Sequence, residues 1–222
     1  MTRQSVFSQS RPDRRRDDKV INHLLTPSPP HLLIFMHPAL FLDRDGVIIE
    51  NRARYVRRWE DVEFFPQALA ALAQIRHTPY KVIVVTNQSA VGRGLITMET
   101  AVALNDRIMD VVRQHNGRVD ASYICPDTPG QETGCRKPLP GMLQQAAQEH
   151  QIDLSQSIMI GDALTDVQAG RAAGVRISAL LHTGRGQAQA AKPEAQALAP
   201  FPIYADLQTA VTELILHPYL LP

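Results

Sequence analysis

At four places along this chain, charged or hydroxyl side chains come directly after a short apolar run. The first is the hexapeptide FLDRDG at residues 41–46. Residues two apart in a strand project to the same side, so the carboxylates of Asp43 and Asp45 can converge. A divalent cation that prefers oxygen ligands, such as Mg²⁺, would offset their repulsion. One carboxylate could then attack phosphorus while the other acts as general acid and base; an Asp-Gly surface turn is the alternative.

Two further segments carry groups that could hold phosphate. At residues 84–89 (VVTNQS), the Thr86 hydroxyl and successive backbone N–H groups lie at a predicted strand-to-helix turn, which suits a phosphate oxygen. Helix capping by Thr86 and Ser89 is the alternative. Further along, Arg136 and Lys137 precede a predicted helix and could bind phosphate charge. Adjacent basic residues are, however, usually part of a solvated surface.

The fourth segment, MIGDALTD at residues 159–166, contains two acids. Asp162 lies where a predicted strand becomes a helix, and Asp166 follows four residues later on the same helical face. Asp162 could complete a metal site, while Asp166 could support Lys137 or a metal-bound water. The alternative is N-capping by Asp162 and a favourable helix-dipole position for Asp166. Together the four segments hold the groups needed for magnesium-assisted phosphoryl transfer, so we expect them to meet in one site.

Alternating strands and helices are predicted to bring these segments together. Short apolar runs predict strands at residues 39–42, 81–85, 121–125, 157–160, 175–181 and 203–205. Helical spacing predicts helices at residues 66–76, 98–116, 141–150, 164–173 and 207–216. This alternation is typical of an α/β protein with a three-layer, doubly wound, mainly parallel sheet. Ligands of such folds bind beyond the carboxyl ends of the strands, which is where the four segments lie.

The combination FLDRDG, VVTNQS, CRKPLPGM and MIGDALTD resembles the haloacid dehalogenase superfamily of phosphohydrolases, which has a Rossmann-like fold. The resemblance implies that Asp43 is the nucleophile and Asp45 the general acid and base. It implies that Thr86 and Lys137 stabilise the transferring phosphoryl group. It also implies that Mg²⁺ binds Asp43, the backbone carbonyl of Asp45, and Asp162.

The spacing of the motifs leaves little room for an added domain. Many members of the superfamily insert a cap domain between the first and second motifs or between the second and third. Here about 40 residues separate Asp43 from Thr86 and about 50 separate Thr86 from Lys137, and predicted core elements fill both intervals. We therefore expect no cap domain and an open mouth shaped by loops such as residues 48–64.

Among members without a cap, the segments DRDGVI, TNQS-x-x-x-RG and CRKP-x-PGM are similar to the subgroup of heptose bisphosphate and histidinol-phosphate phosphatases. This similarity implies substrate contacts from four residues: Asn87, Gln88, Ser89 and Arg136. Residues 51–59 (NRARYVRRW) fall where that subgroup has its substrate loop, and Arg52 and Arg54 would suit a second phosphate. A solvated loop is the alternative for these two arginines.

The similarity implies that the 7-phosphate of D-glycero-D-manno-heptose 1,7-bisphosphate is removed through an aspartyl-phosphate intermediate. Histidinol phosphate or another small phosphorylated metabolite is the alternative substrate. A catalytically idle phosphate-binding module is a more distant alternative, against which the complete set of acids and Lys137 argues. A DNA-end phosphatase would share the chemistry, but the net charge of +1 predicts no duplex-binding surface beyond the Arg-rich N-terminal tail.

The chain departs from the resemblance at its cysteines. Many members bind a structural zinc ion through Cys-x-His and Cys-x-Cys, whereas here the corresponding segments read Cys125-Pro126-Asp127 and Thr133-Gly134-Cys135. Asp127 could act as a ligand, but Thr133 is an implausible one, so we expect a zinc-free loop. By themselves, the two cysteines could form a disulfide, bind a metal or do neither.

Composition limits the partners and the domain organisation. Hydrophobic residues make up 44% of the 222 residues, enough for one core, and apolar runs are too short to span a bilayer. Two cysteines make no disulfide framework, so we expect a cytoplasmic protein. We also expect a monomer without membrane or nucleic-acid partners. Residues 1–36 are basic and proline-rich, which predicts a disordered tail or sequence before a true start at Met36. Residues 37–218 form the predicted phosphatase domain.

Overall fold

The computed structural model of the protein describes residues 36–131 and 133–217. The predicted tail at residues 1–36 therefore lies outside the described residues, apart from Met36. The division of the chain into a tail and one phosphatase domain stays a prediction.

Six parallel strands form one sheet in the order β3-β2-β1-β4-β5-β6. The strands are β1 (Ala39–Leu42), β2 (Lys81–Asn87), β3 (Ala121–Cys125), β4 (Ile158–Gly161), β5 (Ile177–Leu181) and β6 (Ile203–Tyr204). In register, Leu40 of β1 pairs with Val82 of β2 on one side and with Ile158 of β4 on the other. The predicted doubly wound parallel sheet is confirmed.

Helices cover both faces of the sheet, because β1, β2 and β4 are apolar on both sides. Alternate residues of each strand enter different cores: Leu40 and Leu42 pack on one face, and Phe41 on the other. The first core takes its helical residues from α1 (Pro66–Gln74), α3 (Met98–Gln114) and α8 (Leu207–Val211). The second core takes them from α4 (Gly141–His150) and α5 (Leu164–Ala173). This is the predicted three-layer arrangement.

Three short helices were not predicted, and three predicted helices end earlier than expected: α1, α8 and α3, which ends at Gln114 instead of residue 116. Helices α2 (Ser89–Gly92), α6 (Gly186–Ala190) and α7 (Pro193–Leu198) have four to six residues, too few for an apolar period to be visible. The chain after α1 continues as a 3₁₀ turn, Ile75–His77, and the chain after α8 continues as a π-helix, Thr212–Leu216. Helix ends are the least predictable part of such elements.

Core elements fill the intervals between the motifs. Between β1 and β2 the chain forms a 3₁₀ turn, Trp59–Asp61, and then α1 with its 3₁₀ extension. Helices α2 and α3 and strand β3 precede the loop that contains Lys137. Within residues 36–131 and 133–217 there is thus no cap domain, as predicted. None of the described helices is long and apolar enough to cross a membrane.

Candidate active site

Asp43 lies at the point where the sheet reverses its winding direction. It directly follows β1, which has β2 on one side and β4 on the other, and its backbone N–H donates to the carbonyl oxygen of Ile160 in β4 at 3.0 Å. The chain continues from β1 to β2 and β3 on one side of β1, and then crosses to β4 on its other side. Connections that diverge in this way open a crevice beyond the carboxyl end of β1. The Asp43 side chain lies at the base of that crevice and is 5% exposed.

Lys137 joins two of the predicted acids. Its Nζ lies 2.9 Å from Asp43 Oδ1 and 2.7 Å from Asp166 Oδ1, and it donates to the carbonyl oxygen of Val85 at 2.7 Å. These contacts use all three ammonium donors, and the residue is only 2% exposed. The Asn87 side chain fixes the lysine backbone from the end of β2, since it accepts from the Lys137 N–H and donates to the Lys137 carbonyl, both at 3.1 Å.

Burial governs the charges of this group. Burial raises the pKa of Asp43 to about 6, and the neighbouring Lys137 ammonium offsets only part of the effect. Burial alone would lower the pKa of Lys137, but the Asp166 and Asp43 carboxylates outweigh it and raise that pKa above its ordinary value. The ammonium is therefore a permanent positive charge at the base of the crevice near neutral pH.

Asp45 is held from two sides. The buried Arg44 side chain donates to Asp45 Oδ1 from Nε at 2.9 Å and to Oδ2 from Nη2 at 3.2 Å. Gln88 Nε2 donates to Asp45 Oδ2 at 3.0 Å and to Thr86 Oγ1 at 2.9 Å. Gln88 thus links the predicted acid and base, Asp45, to the predicted phosphate-binding hydroxyl of Thr86. It does so from behind the site, since it is buried and does not line the crevice.

Three carboxylates are close enough to hold one cation. Oxygen atoms of Asp43, Asp162 and Asp166 all lie within 4.8 Å of one another. Burial, with the nearby Asp43 charge, raises the pKa of Asp162, although Arg185 counteracts this. A Cβ atom at Gly46 would come within 2.1 Å of Asp162 Oδ2, so only glycine fits beside this group. Hard oxygen donors of this kind suit Mg²⁺.

Proteins that are similar to this chain are named as phosphatases. The HAD-hydrolase-like family model matches residues 134–210. A D-glycero-beta-D-manno-heptose-1,7-bisphosphate 7-phosphatase of Bordetella bronchiseptica is 36% identical over 158 residues, which are 70% of this chain and 88% of the relative. One of Helicobacter pylori strain J99 is 39% identical over 150 residues, 67% of this chain and 86% of the relative.

The fold comparison agrees. The crystal structure of D,D-heptose 1,7-bisphosphate phosphatase from B. bronchiseptica, complexed with magnesium and phosphate, superposes with a TM-score of 0.73. It is 32% identical in sequence and the match covers 81% of this chain and 98% of that one. The chain belongs to the haloacid dehalogenase superfamily of phosphatases. The predicted resemblance to the capless heptose bisphosphate phosphatase group is confirmed, and so is the enzyme class, a phosphoric monoester hydrolase.

In this haloacid dehalogenase-like phosphatase, the crevice is an open cavity of about 560 Å³ with two distinct parts. We call the buried base the floor. It consists of Asp43, Thr86, Lys137 and Asp166, which line the cavity, and of Asp162, whose oxygen atoms lie beside those of Asp43 and Asp166. We call the more exposed side chains around the opening the rim; it consists of Arg52, Tyr55, Arg93, Arg185 and Lys192. The loop at residues 48–64 contributes to the rim, as predicted.

The predicted substrate-binding residues differ in whether they line the cavity. Asn87, Ser89 and Arg136 line the cavity, whereas the exposed Arg54 does not. Arg136 Nη1 donates to Ser89 Oγ and to the Asp127 carbonyl oxygen, both at 2.8 Å, so its orientation is fixed. Partial burial lowers the pKa of Arg136 below its ordinary value.

Rim residue Arg52 lines the cavity but already has two partners. Its Nε donates to the Asp61 carbonyl oxygen at 2.7 Å, and its Nη2 donates to Glu63 Oε2 at 2.9 Å.

Sequence reasoning missed Arg93, Arg185 and Lys192. The T-G-R-G segment after β5 was an available signal for Arg185, since it is a polar loop at a strand end.

The two cysteines of this phosphatase form a disulfide, one of the three alternatives left open by the sequence. Cys125 ends β3 and Cys135 directly precedes Arg136. Asp127 accepts a hydrogen bond from the Thr133 hydroxyl at 2.5 Å next to the disulfide. The bond therefore closes the loop that leads to Arg136 and Lys137.

Proposed function

We propose that this protein is a Mg²⁺-dependent phosphatase that removes the 7-phosphate of D-glycero-D-manno-heptose 1,7-bisphosphate through an aspartyl-phosphate on Asp43. The observation that carries the proposal is the buried contact of Lys137 with both Asp43 and Asp166, at the base of a cavity whose rim is cationic. This arrangement supports phosphoryl transfer at the floor and recognition of a second anion at the rim.

Asp43 is oriented for attack by the donors on one of its oxygens. Oδ1 accepts from the Arg44 backbone N–H at 2.8 Å and lies 2.9 Å from Lys137 Nζ. Among the described residues these donors leave Oδ2 available, so Oδ2 would form the new bond to phosphorus. The bond between phosphorus and the sugar oxygen would break at the same time.

Asp45 would move the protons. It would first protonate the departing sugar oxygen, and the resulting carboxylate would then accept a proton from the water that hydrolyses the aspartyl-phosphate. The Arg44 fork and Gln88 fix the carboxylate, and the side chain keeps 20% exposure towards the cavity. A fixed group can serve both steps without moving, because the sugar oxygen and the attacking water occupy the same side of phosphorus in turn.

The floor would stabilise the charge that spreads over the phosphoryl oxygens. Lys137 supplies a fixed positive charge and Thr86 a hydroxyl. The residues that would hold Mg²⁺ are Asp43, Asp162 and the backbone carbonyl of Asp45, with Asp166 in a supporting role. When bound, Mg²⁺ would supply further positive charge for phosphoryl transfer.

The rim would select the substrate. A bisphosphate carries a second anion that a monophosphate lacks, and the rim contains four cationic side chains: Arg52, Arg93, Arg185 and Lys192. Arg136, and Lys137 of the floor, bring the number of cationic side chains that line the cavity to six among the described residues. The names of the relatives from Bordetella and Helicobacter, which act on heptose 1,7-bisphosphate at the 7-phosphate, support the same substrate.

A panel of phosphorylated metabolites would test the substrate. We expect heptose 1,7-bisphosphate to be hydrolysed with the highest kcat/KM, and ³¹P NMR to show loss of the 7-phosphate signal while the anomeric phosphate signal remains. Histidinol phosphate and p-nitrophenyl phosphate are the comparison substrates. Loss of the anomeric signal first, or faster hydrolysis of histidinol phosphate, would contradict the substrate assignment and leave the reaction class intact.

Acid quenching would test the covalent step. With a ³²P-labelled substrate, we expect protein-bound label in the wild type and in Asp45→Asn, where slow hydrolysis lets it accumulate. Asp43→Asn should show neither label nor turnover, because it replaces a nucleophilic carboxylate oxygen with an amide group of similar size. Turnover by Asp43→Asn would contradict the assignment of the nucleophile. Lack of turnover by the wild type on every substrate would favour an idle phosphate-binding module.

The metal content and assembly are further parts of this proposal. We propose that the loop is zinc-free, because a cysteine held in a disulfide offers no thiolate to zinc. We also propose that the protein is a cytoplasmic monomer. Metal analysis of the purified protein checks the first point, and size-exclusion chromatography with light scattering checks the assembly. One equivalent of bound zinc would contradict the zinc-free loop.

A further inference from the structure

The Arg185 side chain occupies the carboxylate that the proposed cation needs. Its Nη2 lies 3.2 Å from Asp162 Oδ1 and its Nε lies 3.3 Å from Oδ2, while its backbone N–H donates to Oδ2 at 2.8 Å. Asn51 Nδ2 also donates to Oδ2, at 2.5 Å. The backbone N–H and Asn51 stay on Oδ2 whether or not the guanidinium is present, whereas the donor to Oδ1 is the guanidinium itself. Oδ1 is therefore the oxygen that release of the guanidinium would free for a cation.

The charged form of Asp162 needs a positive partner. The residue is 0% exposed, and a buried carboxylate without a partner is strongly destabilising. Among the described residues, Arg185 is the one cationic side chain paired with it. The ion pair therefore compensates the buried charge of Asp162.

The structure allows the guanidinium of Arg185 to leave without moving its backbone. The side chain is 55% exposed and lines the open cavity, and among the described residues its guanidinium forms hydrogen bonds and an ion pair with Asp162 alone. The backbone, in contrast, is fixed: the Thr183 hydroxyl donates to the Gly46 carbonyl at 2.6 Å. A Cβ at Gly184 would come within 2.5 Å of Asp162 Oδ2, so the loop packs directly against the carboxylate.

Arg136 provides the contrast. Its guanidinium is held by the Ser89 hydroxyl and the Asp127 carbonyl, neither of which carries a charge that a metal would neutralise. Magnesium binding at the floor would leave these contacts in place. Of these two cavity arginines, only Arg185 has its contacts on an acid of the proposed metal site.

We propose that Arg185 is a displaceable counter-cation: it neutralises Asp162 in the metal-free enzyme and is released into the cavity when a divalent cation binds. A guanidinium and a metal cation on the same oxygen, Oδ1, would repel each other, so guanidinium and Mg²⁺ compete for Asp162. This inference rests on the proposed function only for the location of the metal site. It makes Arg185 a positioning residue, which acts through Asp162.

Calorimetric titration of the metal-free protein with MgCl₂ tests the competition without any substrate. We expect Arg185→Ala to bind Mg²⁺ about three- to tenfold more tightly than the wild type, because the competing cation is gone. Arg185→Lys should lie between them, since an ammonium competes without a bidentate fork. Arg93→Ala is the matched control, because it removes the same charge from the rim without touching Asp162, and it should change the affinity less than twofold.

Thermal unfolding gives a second readout. Metal-free Arg185→Ala should melt at a lower temperature than the wild type, because Asp162 loses its partner, and Mg²⁺ should raise its melting temperature more than that of the wild type. Arg185 is exposed, so we expect the variant to fold; if it does not, Arg185→Lys provides both measurements.

The possible failures are distinct. Unchanged or weaker Mg²⁺ binding by Arg185→Ala, or equal tightening by Arg93→Ala, overturns the counter-cation role and leaves the proposed function intact. Lack of Mg²⁺ binding by the wild type and by both alanine variants overturns both this inference and the magnesium requirement.

Discussion

The floor and the rim of the cavity differ in how tightly their side chains are fixed. Lys137 has three partners within 2.9 Å, and Asp43, Asp162 and Asp166 are all buried. At the rim, Arg93, Arg185 and Lys192 are exposed. The floor is thus preorganised for one reaction, whereas the rim can change without disturbing the core. This difference suggests that the reaction class depends on the floor and the choice of substrate on the rim.

The difference has a physical origin in the sheet. Four floor residues lie at the ends of adjacent parallel strands or on α5, so backbone hydrogen bonds of the sheet determine where they lie. The fifth, Lys137, lies in a loop but is tied to the end of β2 by the Asn87 side chain. Rim residues lie in connecting loops or just before the short helices α6 and α7. The positions of these segments depend on a few contacts, such as that of Thr183 with Gly46. Substitutions in the two regions should therefore have different consequences.

The largest effect should follow the removal of the floor cation. We expect Lys137→Met to lower kcat/KM at least ~10³-fold, because a charge that stabilises the transition state is lost. The variant should also be destabilised by about 3–5 kcal/mol, since Asp43 and Asp166 would face each other without a counter-charge. Steady-state kinetics and urea unfolding measure the two effects.

Lys192→Met is the corresponding substitution at the rim. Lys192 is exposed and lines the cavity, so the same loss of charge should cost less than about fivefold in kcat/KM and leave the unfolding midpoint unchanged. Similar losses in both variants would contradict the division of the cavity into floor and rim.

A smaller effect is expected behind the floor, at Gln88. Gln88→Leu removes the hydrogen bonds to Asp45 and Thr86, and we expect kcat to fall about 10- to 100-fold with little change in KM. If Gln88 acts through Asp45, the loss should be larger for a sugar phosphate than for p-nitrophenyl phosphate, whose leaving group needs no protonation. An equal loss with both substrates would show that Asp45 does not depend on Gln88.

Most of the fold could be predicted because its strands are short, continuous apolar runs. Strands β1 and β3 have the predicted bounds, and helices α4 and α5 also begin and end where predicted. Strand β5 begins at Ile177 instead of residue 175. Residues 175 and 176 belong to the connection after α5, but their composition does not distinguish them from the first residues of a strand. Local composition defines a buried strand well but defines its first residue poorly.

The floor could be predicted for a different reason: residue type and position at strand ends together imply chemistry. What the sequence could not provide was side-chain direction. Gln88 follows the same strand end as Asn87 and Ser89, yet it points behind the floor. Arg54 is two residues from Arg52 but lies outside the cavity lining. Arg185 was missed because only the folded loop brings it to Asp162.

At the rim, Arg52 and Arg54 provide a matched pair for substrate choice. We expect Arg52→Ala to raise the KM for heptose 1,7-bisphosphate about tenfold, or ~1.4 kcal/mol, with a smaller rise for a monophosphate substrate. Arg54→Ala should stay within about twofold of the wild type, since it lies outside the cavity lining. An equal rise for bisphosphate and monophosphate after Arg52→Ala would indicate that this arginine only orders its loop through Asp61 and Glu63.

The smallest effect concerns protons at the floor. Because burial raises the pKa of Asp43 to about 6, protons and Mg²⁺ should compete for its carboxylate. If one proton competes, Mg²⁺ binding should weaken about fourfold from pH 7 to pH 5.5, and the acidic limb of the pH–rate profile should move to lower pH as the magnesium concentration rises. Calorimetry at several pH values measures the first effect.

Asp43→Asn is the control for that assignment, because an amide does not titrate in this range. Its Mg²⁺ binding should be weaker than that of the wild type and nearly independent of pH between 5.5 and 7. A pH dependence that persists in Asp43→Asn would belong to Asp162, whose pKa burial also raises. In that case the proton that competes with the metal is bound beside Arg185, and the rim would affect the charge of the floor.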